Sequence, residues 1–337
     1  MEKPAANYLD MPYRTTTLLM GPLVLAPDVE SPFPISSSTS FDVASDKERD
    51  ELRALFDERV SFFGSGPASS EYFESDWTGS LDESGHREIR SQPLPPGQSR
   101  YYVLRSGGPT MQPHQHRHHD WYQVSRIREP LLTPAITRTE APEGEFGTSW
   151  GVAPSLAAET NLIPVEPSVV ITRKRLEDLA MDLERASVLD EERHGRIINS
   201  LKIFSDTFRI DRSHALHTLG FFIAIEALIA HKPDAKDPID SIGRQLRRAV
   251  PLLLRRGNRL EQFTTDDMAL DTLLKRLYEY RSAIAHGEPM DRALPPAIRQ
   301  RYNPYQLTKK IRALTQAVMC QALTEPDLAI DLSGPIR

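Results

Sequence analysis

The stretch Leu274-Lys275-Arg276-Leu277-Tyr278-Glu279-Tyr280-Arg281-Ser282-Ala283-Ile284-Ala285-His286-Gly287 reads as the last three turns of a helix closed by a glycine. Leu270, Leu273, Leu274 and Leu277 recur at helical spacing, Arg281 falls on the same face four residues on, and Ile284 continues the stripe. A guanidinium on an apolar stripe calls for a partner, because an unpaired buried charge is strongly unfavourable. His286 stands just before Gly287, where the helix must end, so its ring can turn toward the side that Arg281 faces. Each residue also has a purely structural account. The helix dipole favours a histidine in the last turn by roughly 0.3–1 kcal/mol, and an arginine can snorkel from the edge of an apolar face.

Outward from this stretch, the chain is helical in pattern from about residue 174. Helices are expected near 175–186, as a connector, and over 190–208, where Ile197, Ile198, Leu201 and Phe204 share one side. The next segment, 211–231, carries Leu216, Leu219, Phe222, Ile223, Ile225, Leu228 and Ile229 and has almost no polar face, as expected of the central helix of a bundle. Within it lies Glu226. A cation from a neighbouring helix is the simplest way to keep that carboxylate charged, and Arg281 is the obvious donor. Two readings of the pair stand open: an ion pair that fixes helix register, or a carboxylate that orients a guanidinium toward phosphate.

Asp237, Pro238 and Asp240 then mark a helix start, with the helix running to about Arg256 and kinked at Pro251. Arg244, Arg247, Arg248, Arg255 and Arg256 make it basic. They are either a solvated face or a phosphate-tracking, RNA-binding surface built around Arg244, Arg247 and Arg248. A last helix is expected over 304–323 on Leu307, Ile311, Leu314 and Val318, and residues 326–337 read as a tail.

The first half is different. Eighteen of the 27 prolines and all three tryptophans precede residue 170. Strands are expected over 15–25, interrupted at Gly21-Pro22, and over 101–105, 121–127 and 169–172. One helix is expected over 46–62 behind a Ser45/Glu48 capping box, and a long mobile loop over 64–99. The expected fold is therefore α+β and multidomain: an irregular β-containing N-terminal domain (1–165), a connector (166–189) and an all-α helical bundle (190–325).

A net charge of −6 and a pI near 6.0 confine any nucleic-acid site to a local patch. A single cysteine, Cys320, fits a reducing cytoplasm. No basic region followed by an apolar core opens the chain, and the longest apolar run, interrupted by Glu226, is too short for a membrane span, so a soluble cytoplasmic protein is expected. His114, His116, His118 and His119 form a dense cluster, read as an exposed polar loop with no metal expected. A metal-dependent enzyme centred on that cluster is the alternative. Phosphate-loop, dinucleotide and nucleophile-elbow glycine patterns are absent from the sequence.

Arg281-Ser282-Ala283-Ile284-Ala285-His286 resembles the Arg-x4–6-His motif of HEPN domains. The wider string from Tyr278 to Gly287, with Ala224-Ile225-Glu226-Ala227-Leu228 and the arginine-bearing helix around 242–254, is similar to the ApeA-like subgroup over about residues 190–325. The resemblance implies a helical bundle that homodimerises and cleaves RNA without a cofactor. Arg281 and His286 from two protomers would form the catalytic site, with Glu226 and Ser282 in support. It also implies a role in bacterial anti-phage defence or as a toxin, with a phage-derived trigger or an antitoxin as a further partner. A non-catalytic HEPN dimerisation or RNA-binding module is the alternative within the same family.

Overall fold

The computed structural model describes residues 12–20, 23–36, 38–51, 53–54, 75–81, 87–94, 101–108, 124, 126–128, 133–142, 144–150, 169–208, 210, 214–231, 241–264 and 268–334. Two compact units divide the chain, Met1–Glu184 and Arg185–Arg337. The fold is α+β.

The first unit contains β1 (Tyr13–Met20), β2 (Leu23–Leu25), β3 (Phe33–Ser36), β4 (Thr39–Val43), β5 (Ser75–Leu81), β6 (Arg87–Pro93), β7 (Tyr101–Gly108), β8 (Thr133–Ala141), β9 (Gly144–Trp150) and β10 (Val169–Ile171). Six of these strands form an antiparallel sheet in the order β3-β4-β7-β1-β8-β9. Strand β2 pairs in parallel with β10, and β5 pairs with β6. Apolar side chains of β3, β4 and β7 meet Ile171 and Leu176 in one cluster, in which the Phe41 and Tyr102 rings stack at 5.1 Å. Arg105 on β7 binds Asp42 at 3.0 Å and Glu48 at 2.9 Å. That interaction fastens the helical residues after Ser45 to the sheet. The Ser45/Glu48 capping box is formed, with the Ser45 N–H donating to Glu48 Oε2 at 2.8 Å.

Two expectations for this unit are overturned. Residues 124 and 126–128 are helical rather than extended, with Val124 and Ile127, one turn apart, both buried. Their aromatic and β-branched surroundings imitate a strand, but burial three residues apart is a helical period. The segment read as a loop over 64–99 contains the β5–β6 pair. Ser, Asp, Thr and Gly conceal these strands from a pattern search, because backbone pairing does not require apolar alternation.

The second unit is helical: α2 (Glu191–Thr207), α3 (Ala215–Ile229), α4 (Ile242–Arg256), α5 (Leu270–Ala285), α6 (Met290–Ala293), α7 (Pro296–Arg299), α8 (Pro304–Thr324) and α9 (Pro326–Leu332) follow α1 (Arg173–Ser187). Helix α3 is central and touches α2, α4, α5, α8 and α9. Its apolar circumference requires this, since Phe221, Ala224, Leu228 and Ile229 are each fully buried. The rings of Phe208 and Phe221 meet His217 edge-on, and Phe204 packs against both of those phenyl rings. Helix α4 runs from Ile242 after an extended Ser241 (φ −116°, ψ 149°); the Asp237-Pro238-Asp240 start signal lies outside the described residues. It runs unbroken through Pro251 to Arg256. Residues 326–332, read as tail, form α9, whose Ala329 is fully buried.

Candidate functional site

Leu270, Leu273, Leu274, Leu277 and Ile284 of α5 are all buried, so the apolar stripe seats this helix and leaves Arg281 at its edge. There the guanidinium meets Glu226 of α3 side-on: Nε donates to Oε1 at 2.9 Å and Nη2 to Oε2 at 2.9 Å. The two charges expected to pair from the sequence are thus brought together in bidentate geometry, the strongest form of such a bond. The Arg281 side chain is 26% exposed and that of Glu226 13%. Among the described residues, Nη1 has no hydrogen bond, so the end-on edge of the guanidinium stays uncommitted.

A third helix contributes. Arg281 Cζ lies 5.9 Å from the Tyr278 ring centroid, and that ring packs against Gly243 of α4, where an added Cβ would stand 3.1 Å from Tyr278 Cδ1. Tyr278 opens the string similar to the ApeA-like subgroup but carried no role of its own there, although its position three residues before Arg281 places it on the same face. Tyr280 likewise carried no role there. It is fully buried, and its hydroxyl has no hydrogen-bond partner among the described residues; burial, with Asp291 second, pushes its phenol up to about 12.

His286 is the C-cap of α5, and Gly287 takes φ +91°. The Glu288 N–H donates to Ala283 O at 3.1 Å and the Gly287 N–H to Ile284 O at 3.1 Å, a Schellman ending that only a left-handed residue after the cap permits. The His286 backbone is pinned by bonds to Ser282 O and Ala283 O, while its side chain is exposed. Ser282 is half-buried, and its hydroxyl makes no hydrogen bond to a described residue. No contact joins the His286 side chain to Arg281 or Glu226 among the described residues. Five residues of helix separate the two positions by about 140° and about 7.5 Å along the axis.

Two of the five arginines of α4 are neutralised by carboxylates. Arg247 pairs with Asp271 at 3.3 Å, Arg256 with Glu325, and Arg248 donates to Leu332 O at 3.4 Å. Arg244 and Arg255 are exposed and have no partner among the described residues. The histidine cluster at 114–119 lies outside the described residues, within which no group of three or more His, Cys, Asp or Glu could hold a metal. No helix among the described residues is long and apolar enough to cross a membrane. No protein-family model, curated protein or solved structure matches the chain.

Proposed function

We propose that the helical unit is a metal-independent endoribonuclease of HEPN type, acting on RNA as a cytoplasmic homodimer in bacterial anti-phage defence or as a toxin. One observation carries this reading. Glu226 engages only the side edge of Arg281, so the end-on edge is held in a fixed direction with Nη1 and one N–H of Nη2 ready for two phosphate oxygens. The exposed His286 supplies an imidazole, a side chain able to take up and release a proton at a substrate hydroxyl. Because Arg281 and His286 diverge around the helix, a site using both draws them from two protomers facing each other across a two-fold axis.

In the proposed reaction His286 removes the proton of a ribose 2′-hydroxyl, whose oxygen bonds to the adjacent phosphorus. The bond from phosphorus to the 5′-oxygen breaks, and that oxygen takes up a proton. Arg281 stabilises the negative charge on the phosphoryl oxygens. The products are a 2′,3′-cyclic phosphate and a 5′-hydroxyl, and DNA, without the attacking group, is not cut. The Ser282 hydroxyl, unclaimed by described residues, is available to substrate or backbone.

Total RNA incubated with wild type, Arg281→Ala and His286→Ala tests the assignment. Loss of a general base or of phosphate stabilisation is expected to cost about 10²–10⁴-fold in cleavage rate. Expression toxicity relieved by His286→Ala is the cellular counterpart. A folded, dimeric wild type that leaves RNA intact under every trigger tried returns the pair to a non-catalytic role. The same Arg281–Glu226 bond favours that second reading, since it also locks α5 against α3.

A further inference from the structure

From Arg292 to Thr324 the chain carries six basic residues and no acidic one, although the protein as a whole is acidic. The cations gather on α7 and the first turns of α8. Arg299 and Arg301 are exposed, and the Arg299 guanidinium is held by the carbonyls of Arg292 and Leu294 at 2.9 and 3.1 Å. Two lysines follow, each over a tyrosine ring: Lys309 Nζ lies 4.9 Å from the Tyr305 centroid and Lys310 Nζ 5.5 Å from that of Tyr302. Carbonyls and π faces hold a cation in place without cancelling its charge. Neither Arg299 nor Lys310 makes an ion pair among the described residues. Burial, and then the Arg312 guanidinium one turn on, depress the Lys309 ammonium below the ordinary lysine range. Cations crowded in this way are stabilised by an incoming anion.

We infer that Arg299, Arg301, Lys309 and Lys310, with Tyr302 and Tyr305, form a docking surface for single-stranded RNA. Three features point to a nucleic-acid strand rather than to another polyanion. Phosphates along a strand match cations spread over two helices and the turn between them. Tyr305 is 45% exposed, and its ring is a stacking platform for an unpaired base. Tyr305 is also the one large hydrophobic side chain exposed between Arg292 and Thr324 among the described residues, so the surface lacks the apolar anchors of a membrane-binding face. The surface adds to the role expected of the α4 arginines, of which Arg247 is paired with Asp271. The choice of RNA over DNA rests on the ribonuclease reading; the surface itself does not.

The test uses the full chain carrying His286→Ala, so that RNA survives, and fluorescence anisotropy of a labelled 20-nucleotide oligouridylate at several salt concentrations. Lys309→Ala/Lys310→Ala is expected to weaken binding about tenfold or more and to lower the magnitude of the log–log salt slope by about 0.7 for each phosphate that is no longer neutralised. Gln306→Glu is a second variant that spares the fold, because glutamate replaces glutamine in the capping box with Asn303, where Gln306 N–H now donates at 2.8 Å. It places a negative charge on the face and is expected to weaken binding several-fold. Affinity unchanged in both variants overturns the proposal, as does tighter binding to vesicles of anionic lipid than to RNA. Equal affinity for oligothymidylate retains the surface but removes its RNA preference. Wild type that binds through these residues yet cuts no RNA overturns the nuclease reading alone; wild type that cuts RNA with the surface variants binding normally overturns the surface alone.

Discussion

Glu226→Gln separates the two roles of the Arg281 pair. Glutamine keeps the side-chain shape and removes the charge, leaving Arg281 with one neutral acceptor where it had two charged ones. Exposed ion pairs contribute about 0–1 kcal/mol, and breaking a fully buried pair costs about 3–5 kcal/mol. With side chains 26% and 13% exposed, the pair lies between these limits. A loss of about 2 kcal/mol is expected for Glu226→Gln and a similar loss for Arg281→Gln. The double variant should lose little more than either single one, giving a coupling of about 1.5–2 kcal/mol. Unfolding of the helical unit is followed by circular dichroism in urea. All three tryptophans belong to the first unit, so their fluorescence follows that unit separately. On heating, each single variant should melt about 4–8 °C lower. A coupling below about 0.5 kcal/mol refutes the reasoning, because distant and independent residues show as much. If Glu226 orients the guanidinium for catalysis, the folded dimer of Glu226→Gln also cleaves RNA at least tenfold more slowly; cleavage at the wild-type rate removes Glu226 from the site.

Gly287→Ala should destabilise by about 1 kcal/mol in urea titration, from the left-handed backbone alone, since nothing crowds the new methyl group. Gly195→Ala, inside α2 with equally open surroundings and no positive φ, should instead stabilise by about 0.5–1 kcal/mol. Gly220→Ala would drive its Cβ into Thr207 Oγ1 and to 2.7 Å from Thr207 Cγ2 at the close approach of α3 to α2, so a loss of about 1–3 kcal/mol is expected, partly relieved by adding Thr207→Ala, which removes both atoms. Tyr280→Phe removes a buried hydroxyl that has no partner among the described residues and should leave neutral-pH stability unchanged or higher. Because the Tyr280 phenol is raised to about 12 in the folded protein, its contribution is complete below pH 10 and is lost as pH climbs from about 10 to about 12. The phenylalanine variant should therefore resist alkaline unfolding better than wild type in a pH-jump series.

What could be read from the sequence follows from how local each signal is. The α5 stripe, the α3 circumference and the α8 repeat are properties of single segments, and periodicity suffices for them. Glu226 and Arg281 announced each other because each is a charge in an apolar setting, and α3 and α5 bring them within hydrogen-bonding distance. By contrast, the fate of the α4 arginines depended on Asp271 and Glu325, acids supplied by other parts of the chain, so a basic run looked like a free surface when two of its members were paired. The burial of the Tyr280 hydroxyl was equally invisible, since only the assembled helices determine that no acceptor among the described residues reaches it. Strands β5 and β6 pair through backbone groups that every residue owns, and composition says little about them.

The parallel pairing of β2 with β10 governs when the first unit becomes whole. Leu23 meets Val169, and Ile171 then joins Phe33, Phe41 and Tyr102 in the buried cluster. On a ribosome, those aromatic side chains therefore wait on the order of 10 s for the strand that seals them. Through that interval they are available to chaperones or to other nascent chains. The same reasoning says where the chain can be divided: a cut at residue 165 removes the closing strand, whereas a cut after Glu184 leaves it with its unit.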